Sequence, residues 1–276
     1  MTDHRSYRRT FPALFLAVAA VALVAGCGDS SSSPPAENLS ILVTNDDGYA
    51  SEGIDAIVEA LVADPRNEVI VSAPSGNRSG SGDQTGPSPQ CGNLSVKSAT
   101  TASGYPATAV DGCPADAVNY ALANLYPAGS RPDVVISGIN EGQNVSEVVA
   151  TQISGTVGAA KTAARQGLPA LASSQGVPGA GGVYDYPAGV EAVLAWLAEH
   201  RAALAAGAMP PGVESVNIPS CSAGSIRGTI VGIPLAPTPA GAFGTQDCES
   251  TLEDPADDVQ ALSNGFIPVT TVPFES

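Results

Sequence analysis

The sequence predicts an α/β fold, a three-layer αβα sandwich built around a mostly parallel, Rossmann-like sheet. Short apolar runs of strand length alternate with longer segments whose apolar residues recur at helical spacing. Strands of this kind belong in a sheet that helices cover on both faces, with right-handed crossovers. The chain after its N-terminal segment, about 240 residues, suits one such domain.

The predicted elements follow in chain order. The first strand, 39–45, is a nearly continuous apolar run, and the first helix, 51–63, has apolar residues at helical spacing. The helix at 114–126 begins with proline, which a first helical turn tolerates. The same criteria predict further strands and helices at 68–73, 133–137, 154–167 (helix), 169–173, 186–207 (helix) and 213–218.

Three segments lack a clear period. The chain from 219 onward is rich in Gly, Pro and Ser and is predicted as loops and extended pieces, with a pattern returning at 265–272. The irregular segments 74–93 and 138–153 each follow a predicted strand. Ligands in this architecture bind outside the carboxyl ends of strands, so we expect the chemistry in these two loops.

The N-terminal segment has the pattern of a secretion signal. Arg5, Arg8 and Arg9 precede an apolar run at 11–25 that is short for a membrane span. The run ends in Leu23-Val24-Ala25-Gly26-Cys27, which resembles the lipobox of bacterial lipoproteins. An ordinary signal peptide and an uncleaved anchor helix are the alternatives. We predict a signal peptide at 1–26, lipidation on Cys27, a lipid-anchored flexible linker at 27–37, a folded domain at 38–276, and export to the bacterial cell envelope, either the periplasm or the cell surface.

Removal of Cys27 from pairing leaves four cysteines in an oxidising compartment, where disulfides form. Three connectivities are possible. Proximity along the chain favours Cys91–Cys113 and Cys221–Cys248, since each pair closes the shorter loop. A cysteine metal site is disfavoured because the C-x-x-C spacing is absent.

Charge and histidine content exclude several functions. The chain contains 11 Lys and Arg residues and 27 Asp and Glu residues, which gives a net charge of −16. This acidic balance disfavours nucleic-acid binding. The segment after the signal contains one histidine, His200, predicted to lie at a helix end near the carbonyl dipole. A catalytic triad or an imidazole zinc site is therefore nearly excluded.

Asn45-Asp46-Asp47-Gly48 directly follows the first predicted strand. Adjacent carboxylates repel each other unless a cation neutralises them, and oxygen ligands select Mg²⁺, Mn²⁺ or Ca²⁺. A turn in which one aspartate caps the following helix is the alternative.

The next two strand-end loops offer neutral oxygen ligands. Ser79 and Asn140 are positioned to complete a coordination shell begun by Asp46 and Asp47, although each loop is also compatible with an ordinary polar turn. Arg78 adds a positive group able to bind phosphate, or it is a surface arginine. Ser154-Gly155-Thr156 opens a helix, where free backbone N–H groups bind anions, unless Ser154 is a plain N-cap.

Together these residues resemble the SurE family of 5′/3′-nucleotidases and acid phosphatases. The resemblance covers most of the predicted domain, and it rests on the order of motifs that individually are weak. The motifs are Ile41 to Gly48 with Gly53-Ile54, Ala73-Pro74, Asn77 to Gly80, Gly112 to Asp116, Ser137 to Asn140 with Gly142 and Asn144, Ser154 to Val157, Gly167 to Ala170, and Val216 to Pro219.

The resemblance implies a metal-dependent phosphomonoesterase that hydrolyses nucleoside monophosphates by a metal-activated water. It implies one divalent ion held by Asp46, Asp47, Ser79 and Asn140, with the two aspartates catalytic, and a homodimer or homotetramer. The candidate residues for the substrate phosphate are Asn45, Asn77, Arg78, Asn144, Ser154, Gly155 and Thr156.

The chain also departs from the family pattern. The segment 145–153 lacks the usual acidic pair and aromatic residue, Ser75-Gly76 replaces an Asp-Arg pair, and the region after 219 is shortened. Two alternatives follow. One is a catalytically silent lipoprotein of the same fold that binds nucleotide or metal. The other is a haloacid-dehalogenase-like phosphatase. Its signature requires two aspartates separated by one residue, whereas Asp46 and Asp47 are adjacent, so this alternative is disfavoured.

Overall fold

The structure, a computed structural model, describes residues 37–275. The predicted signal peptide, Cys27 and most of the predicted linker therefore lie outside the described residues. No helix among the described residues is both long enough and apolar enough to cross a membrane.

Nine strands form one mixed sheet in the described part of the chain, in the order β3-β4-β2-β1-β5-β6-β7-β9-β8. The strands are β1 Leu39–Thr44, β2 Asn67–Pro74, β3 Val96–Thr100, β4 Pro106–Val110, β5 Val134–Glu141, β6 Pro169–Gln175, β7 Gly212–Ile218, β8 Thr229–Val231 and β9 Ile267–Thr271. The helices are α1 Glu52–Val62, α2 Pro114–Asn124, α3 Gly155–Arg165, α4 Tyr186–Ala205 and α5 Asp258–Ser263, with a π-helical turn at Val149–Ile153.

The centre of the sheet is parallel. β1 pairs in parallel with β2 on one side and β5 on the other, and β6 and β7 continue in the same direction. The antiparallel pairs, β3 with β4 and β7 with β9, lie toward the two edges. The carboxyl ends of β1, β2, β5, β6 and β7 therefore lie along the same side of the sheet.

Helices cover both faces. In one core, α1 packs with α4 against the sheet through residues such as Ile54, Ile57 and Leu61, which recur at helical spacing and are fully buried. In the second core, α2 and α3 contribute mainly alanine and valine. The alternation of apolar strands and helices thus produces the predicted three-layer αβα sandwich, and this prediction is confirmed.

The structure differs from the prediction in the less apolar elements. The edge strand β3 is almost wholly exposed and reads Val-Lys-Ser-Ala-Thr, so the sequence shows no apolar run there. The short elements β8 and α5 likewise went unpredicted. β5 continues to Glu141 through a register shift, so Asn140 lies at the end of a strand rather than inside the predicted loop 138–153.

Both disulfides favoured from the sequence are present. Cys91 bonds Cys113 and Cys221 bonds Cys248. His200 lies near the C-terminal end of α4, which ends at Ala205, and its ring stacks on Trp196 with centroids 4.5 Å apart. Its Nδ1 lies 2.8 Å from the Trp196 carbonyl oxygen, so the His200 side chain forms a hydrogen bond with the backbone of its own helix.

Candidate metal and phosphate site

The loop after β1 is shaped by Asn45. The fully buried Asn45 side chain donates from Nδ2 to the Gly48 carbonyl at 3.0 Å and to Ser51 Oγ at 2.8 Å, and Oδ1 accepts from the Gly48 N–H. Gly48 has a φ of +108°, a conformation that favours glycine. Asn45 was predicted to bind phosphate, but both hydrogens of its amide are used to hold this turn, which presents Asp46 and Asp47.

Asp46 is nearly completely buried at the start of α3. Thr156 Oγ1 donates to Asp46 Oδ1 at 2.6 Å, and the backbone N–H groups of Gly155 and Thr156 also act on this carboxylate. Burial nevertheless raises the pKa of Asp46 above its ordinary value. The helix start that was predicted to bind a substrate anion is therefore directed at the carboxylate of Asp46.

Gly155 permits this close approach. A Cβ atom at Gly155 would lie 2.8 Å from Asp46 Cβ, 2.9 Å from Asp46 Oδ2 and 2.7 Å from Ser81 Oγ. Any side chain would displace one of these groups. Gly155 thus contributes by leaving room for Asp46 against the helix.

Asp47 links two further strand ends. Asn77 Nδ2 donates to Asp47 Oδ1 at 3.2 Å, and the Glu141 N–H donates to Asp47 Oδ2 at 2.9 Å. Burial, followed by the charge of Asp46, raises the pKa of Asp47 to about 7. Because Asn77 follows β2 and Glu141 ends β5, one carboxylate holds three strand ends together.

The predicted neutral ligands lie next to these contacts. The Arg78 N–H donates to the Asp46 carbonyl at 2.6 Å, and the Ser79 N–H donates to Asn77 Oδ1 at 2.9 Å, so the loop that carries Ser79 lies against the aspartates. Asn140 is mostly buried, and its Nδ2 donates to the Gly142 carbonyl. The amide oxygen Oδ1 is therefore the atom with which Asn140 would bind a metal ion.

This donor set fits a hard divalent cation. None of the ion pairs in residues 37–275 involves Asp46 or Asp47, although the two carboxylates are adjacent, Asp46 is buried and Asp47 is partly buried. Buried carboxylates without a positive partner are costly, and a cation with oxygen ligands would neutralise them. Cys91, Cys113 and Asp116 also cluster, but the two cysteines are joined in a disulfide and do not ligate metal.

Arg78 is held in place by Asp111. Arg78 Nη2 lies 2.6 Å from Asp111 Oδ1, and its Nε is buried without a hydrogen-bond partner in the described part of the chain. The sequence did not reveal Asp111, because it directly follows β4, a strand that was not predicted. Recognition of β4 would have placed Asp111 at a strand end like the other site residues.

Two predicted phosphate residues serve the scaffold. Ser154 Oγ accepts from the Val157 N–H at 3.1 Å and is the N-cap of α3, the alternative considered from the sequence. Asn144 Nδ2 donates to Ser174 Oγ at 2.8 Å, and its N–H donates to Asn217 Oδ1 at 2.7 Å, which ties the chain after β5 to β6 and β7. Asn77, Arg78 and Thr156, also predicted to bind phosphate, form hydrogen bonds directly with the two aspartates.

Comparison with known proteins agrees with this arrangement. The family model described as survival protein SurE matches residues 41–235. The 5′-nucleotidase SurE of Geobacter metallireducens is 37% identical over 199 residues, 71% of this chain and 70% of the relative. The 5′-nucleotidase SurE of Polaromonas naphthalenivorans is 38% identical over 69% of each chain.

The fold gives the same result. The crystal structure of the SurE protein from Aquifex aeolicus aligns with a TM-score of 0.65 and 26% identity over 86% of this chain and 94% of that chain. Because the family model matches residues 41–235 and the two relatives are 37% and 38% identical, the chain belongs to the survival protein SurE family.

Proposed function

We propose that this chain is a divalent-metal-dependent phosphomonoesterase that hydrolyses nucleoside monophosphates. Its relatives from Geobacter metallireducens and Polaromonas naphthalenivorans are named 5′-nucleotidases. The observation that carries the proposal is the convergence of Asp46, Asp47 and Asn140 at one edge of the sheet. Asp46 is buried there and Asp47 is partly buried, and neither forms an ion pair within residues 37–275.

In this proposal Asp46, Asp47, Ser79 and Asn140 hold the ion, and Mg²⁺, Mn²⁺ and Ca²⁺ all match the oxygen donors. When bound, such an ion polarises the phosphoryl oxygens and makes a water molecule a stronger nucleophile.

The residues of the chain orient the groups. Thr156 fixes the Asp46 carboxylate, and the Glu141 N–H and Asn77 fix that of Asp47. Asp111 orients Arg78, and Arg78 donates a charge-assisted hydrogen bond to the phosphate oxygens. Water attacks phosphorus in line, the nucleoside oxygen leaves, and no phosphoenzyme forms.

The proposed location is the bacterial cell envelope, through a signal peptide at 1–26 and lipidation of Cys27. Two disulfides in one domain support an oxidising compartment. A homodimer or homotetramer is part of the same proposal.

Phosphate release from a panel of nucleoside monophosphates tests the function. The purified exported domain should release phosphate with Mg²⁺ or Mn²⁺, and both EDTA and Asp46→Asn should abolish the release. Asp254→Asn, a change at an exposed acid, is the matched control and should retain activity.

The alternative function, binding without turnover, makes a different prediction. A silent binding protein would be stabilised by nucleotide and metal in a melting experiment yet release no phosphate. Equal phosphate release in EDTA would exclude the metal-dependent mechanism.

A further inference from the structure

The segment 79–83, here called the ligand loop, lies directly against one face of α3. Gly155 and Gly158 are three residues apart on this helix and therefore share a face. A Cβ atom at Gly155 would lie 2.7 Å from Ser81 Oγ, and one at Gly158 would overlap the Gly82 carbonyl group. The two glycines thus leave room for the backbone of the ligand loop against the helix.

Asp83 ends the ligand loop between two cations of α3. Its Oδ2 atom lies 2.7 Å from Arg165 Nη2 and 3.3 Å from Lys161 Nζ. Burial acts to raise the pKa of Asp83, but the hydrogen bond from Arg165 and the charge of Lys161 lower this pKa below its ordinary value. Asp83 is therefore ionised at neutral pH, and its charge joins the loop to the helix.

Lys161 is the buried member of this group. Its side chain is 3% exposed, and its Nζ also donates to the Thr151 carbonyl at 2.7 Å. A buried charge without a partner of opposite sign is costly, and within residues 37–275 the carboxylate that pairs with Lys161 is Asp83. The burial of Lys161 thus favours the position in which the ligand loop brings Asp83 to the helix.

The π-helical turn Val149–Ile153 holds the ligand loop from a second side. The Gly82 N–H donates to the Ile153 carbonyl at 3.0 Å, and Lys161 binds Thr151 in the same turn. Lys161 therefore connects the helix, the turn and the loop through one ammonium group.

The other end of the ligand loop carries the proposed metal ligand Ser79. The Ser79 N–H donates to Asn77 Oδ1, and Asn77 Nδ2 donates to Asp47 Oδ1. Ser79 is only four residues from Asp83, so a shift of the anchored end is transmitted along a short stretch of backbone. Metal–oxygen distances are restricted to within about 0.2 Å, and a small displacement of Ser79 is therefore enough to weaken its bond to an ion.

We infer that Asp83, held by Lys161, positions the ligand Ser79 and thereby sets the affinity of the site for its divalent ion. The inference rests on the proposed function, because Ser79 acts as a ligand only if that site binds metal. Asp83 is a positioning residue in this role, since it acts through the ligand loop and not by contact with the substrate.

Calorimetric titration with Mn²⁺ tests the inference. Asp83→Ala and Lys161→Met should each weaken Mn²⁺ binding about tenfold, the lower end of the effect of removing a group that supports a metal ligand. Asp83→Glu keeps the carboxylate and should bind Mn²⁺ more tightly than Asp83→Ala. Asp64→Ala is the matched control, because Asp64 also pairs with two cations, Arg66 at 2.7 Å and Arg201 at 3.4 Å, and it should keep the wild-type affinity.

A double variant separates positioning from a general loss of stability. Ser79→Ala should itself weaken Mn²⁺ binding, and Asp83→Ala added to it should cost less than about twofold more, because the loop then has no ligand to position. Circular dichroism should show that each variant is folded. Wild-type affinity in folded Asp83→Ala and Lys161→Met, or losses from Asp83→Ala and Ser79→Ala that add fully, would overturn the positioning role.

Phosphate release from adenosine monophosphate distinguishes this inference from the proposed function. If Mn²⁺ binding shows the expected dependence on Asp83 but the wild type releases no phosphate, only the hydrolytic function is overturned. Metal-dependent release together with wild-type Mn²⁺ affinity in Asp83→Ala would overturn only the positioning role. Absence of Mn²⁺ binding to the wild type would overturn both.

Discussion

Thr156 donates a hydrogen bond of 2.6 Å from Oγ1 to Oδ1 of Asp46, across 110 residues of sequence. Asp46 lies at the end of β1 and Thr156 in the first turn of α3, so this contact fixes the carboxylate against a helix start. Such a bond to a charged group contributes about 1.5–3 kcal/mol. The orientation of Asp46 thus depends on a hydroxyl that does not itself need to touch the substrate.

Thr156→Val should therefore weaken Mn²⁺ binding about tenfold or more, because the isosteric side chain leaves a buried carboxylate oxygen without its donor. Thr156→Ser keeps the hydroxyl and should bind Mn²⁺ like the wild type. Calorimetric titration of each folded variant measures the effect. Unchanged affinity in the valine variant would show that Asp46 does not depend on Thr156.

Gly155→Ala should reduce phosphate release at least tenfold, because the added methyl group would lie 2.8 Å from Asp46 Cβ and force the carboxylate to move. Gly212→Ala is the matched control, since a Cβ there meets nothing within 4 Å. Turnover and circular dichroism should be measured on both variants. Full activity in Gly155→Ala would contradict the proposed placement of Asp46.

Metal removal should lower the thermal stability of the wild type. An ion present at 100 times its Kd stabilises the folded state by about 2.7 kcal/mol, which corresponds to roughly 5–10 °C in Tm for a domain of this size. Differential scanning calorimetry with Mn²⁺ or EDTA measures the shift. Asp46→Asn and Asp47→Asn should lose the shift and Asp254→Asn should keep it; a shift that survives in both site variants would place the ion elsewhere.

The two disulfides should affect activity differently. Removal of either pair by double alanine substitution should cost about 3 kcal/mol of unfolding free energy, since the bonds span 22 and 27 residues. The Cys91–Cys113 loop also carries the backbone groups around Asp111, which orients Arg78.

Loss of Cys91–Cys113 should therefore also lower kcat/KM for glycerol 2-phosphate. Loss of Cys221–Cys248 should leave that value near the wild type, provided that both variants are assayed well below their Tm. Equal activity losses in the two variants would argue against a specific role for the first bond.

Asp64 provides a pH-dependent contribution to stability away from the site. Hydrogen bonds from Arg66 lower the pKa of Asp64 from 3.8 to about 2. Because the folded-state pKa is depressed, the stabilisation is present above about pH 4 and is lost as the pH falls through about 2.

Urea unfolding of the wild type and Asp64→Asn should show a difference at neutral pH that shrinks toward zero near pH 2. A difference that is constant across this range would contradict the assigned pKa.

The sequence was sufficient to identify several residues of the site but not their roles. Asp46, Asp47, Ser79 and Asn140 were predicted because each lies in a segment that follows an apolar strand, and the structure brings the ends of β1, β2 and β5 together. Asn45 and Thr156 were assigned to phosphate, whereas their hydrogen bonds hold the aspartates and their loop. A residue type shows which groups are able to bond, but it does not show which partner lies within reach.

The alternation of apolar runs and helical periods by itself determined the layered α/β fold, because burial of those runs requires a sheet covered on both sides. Local spacing also favoured the two disulfide pairs. Only the tertiary structure decided that Thr156 faces Asp46, that Asp111 holds Arg78 and that Gln143 joins two distant loops. Those contacts link residues 110, 33 and 101 positions apart, and their geometry depends on how strands from separate parts of the chain align in one sheet.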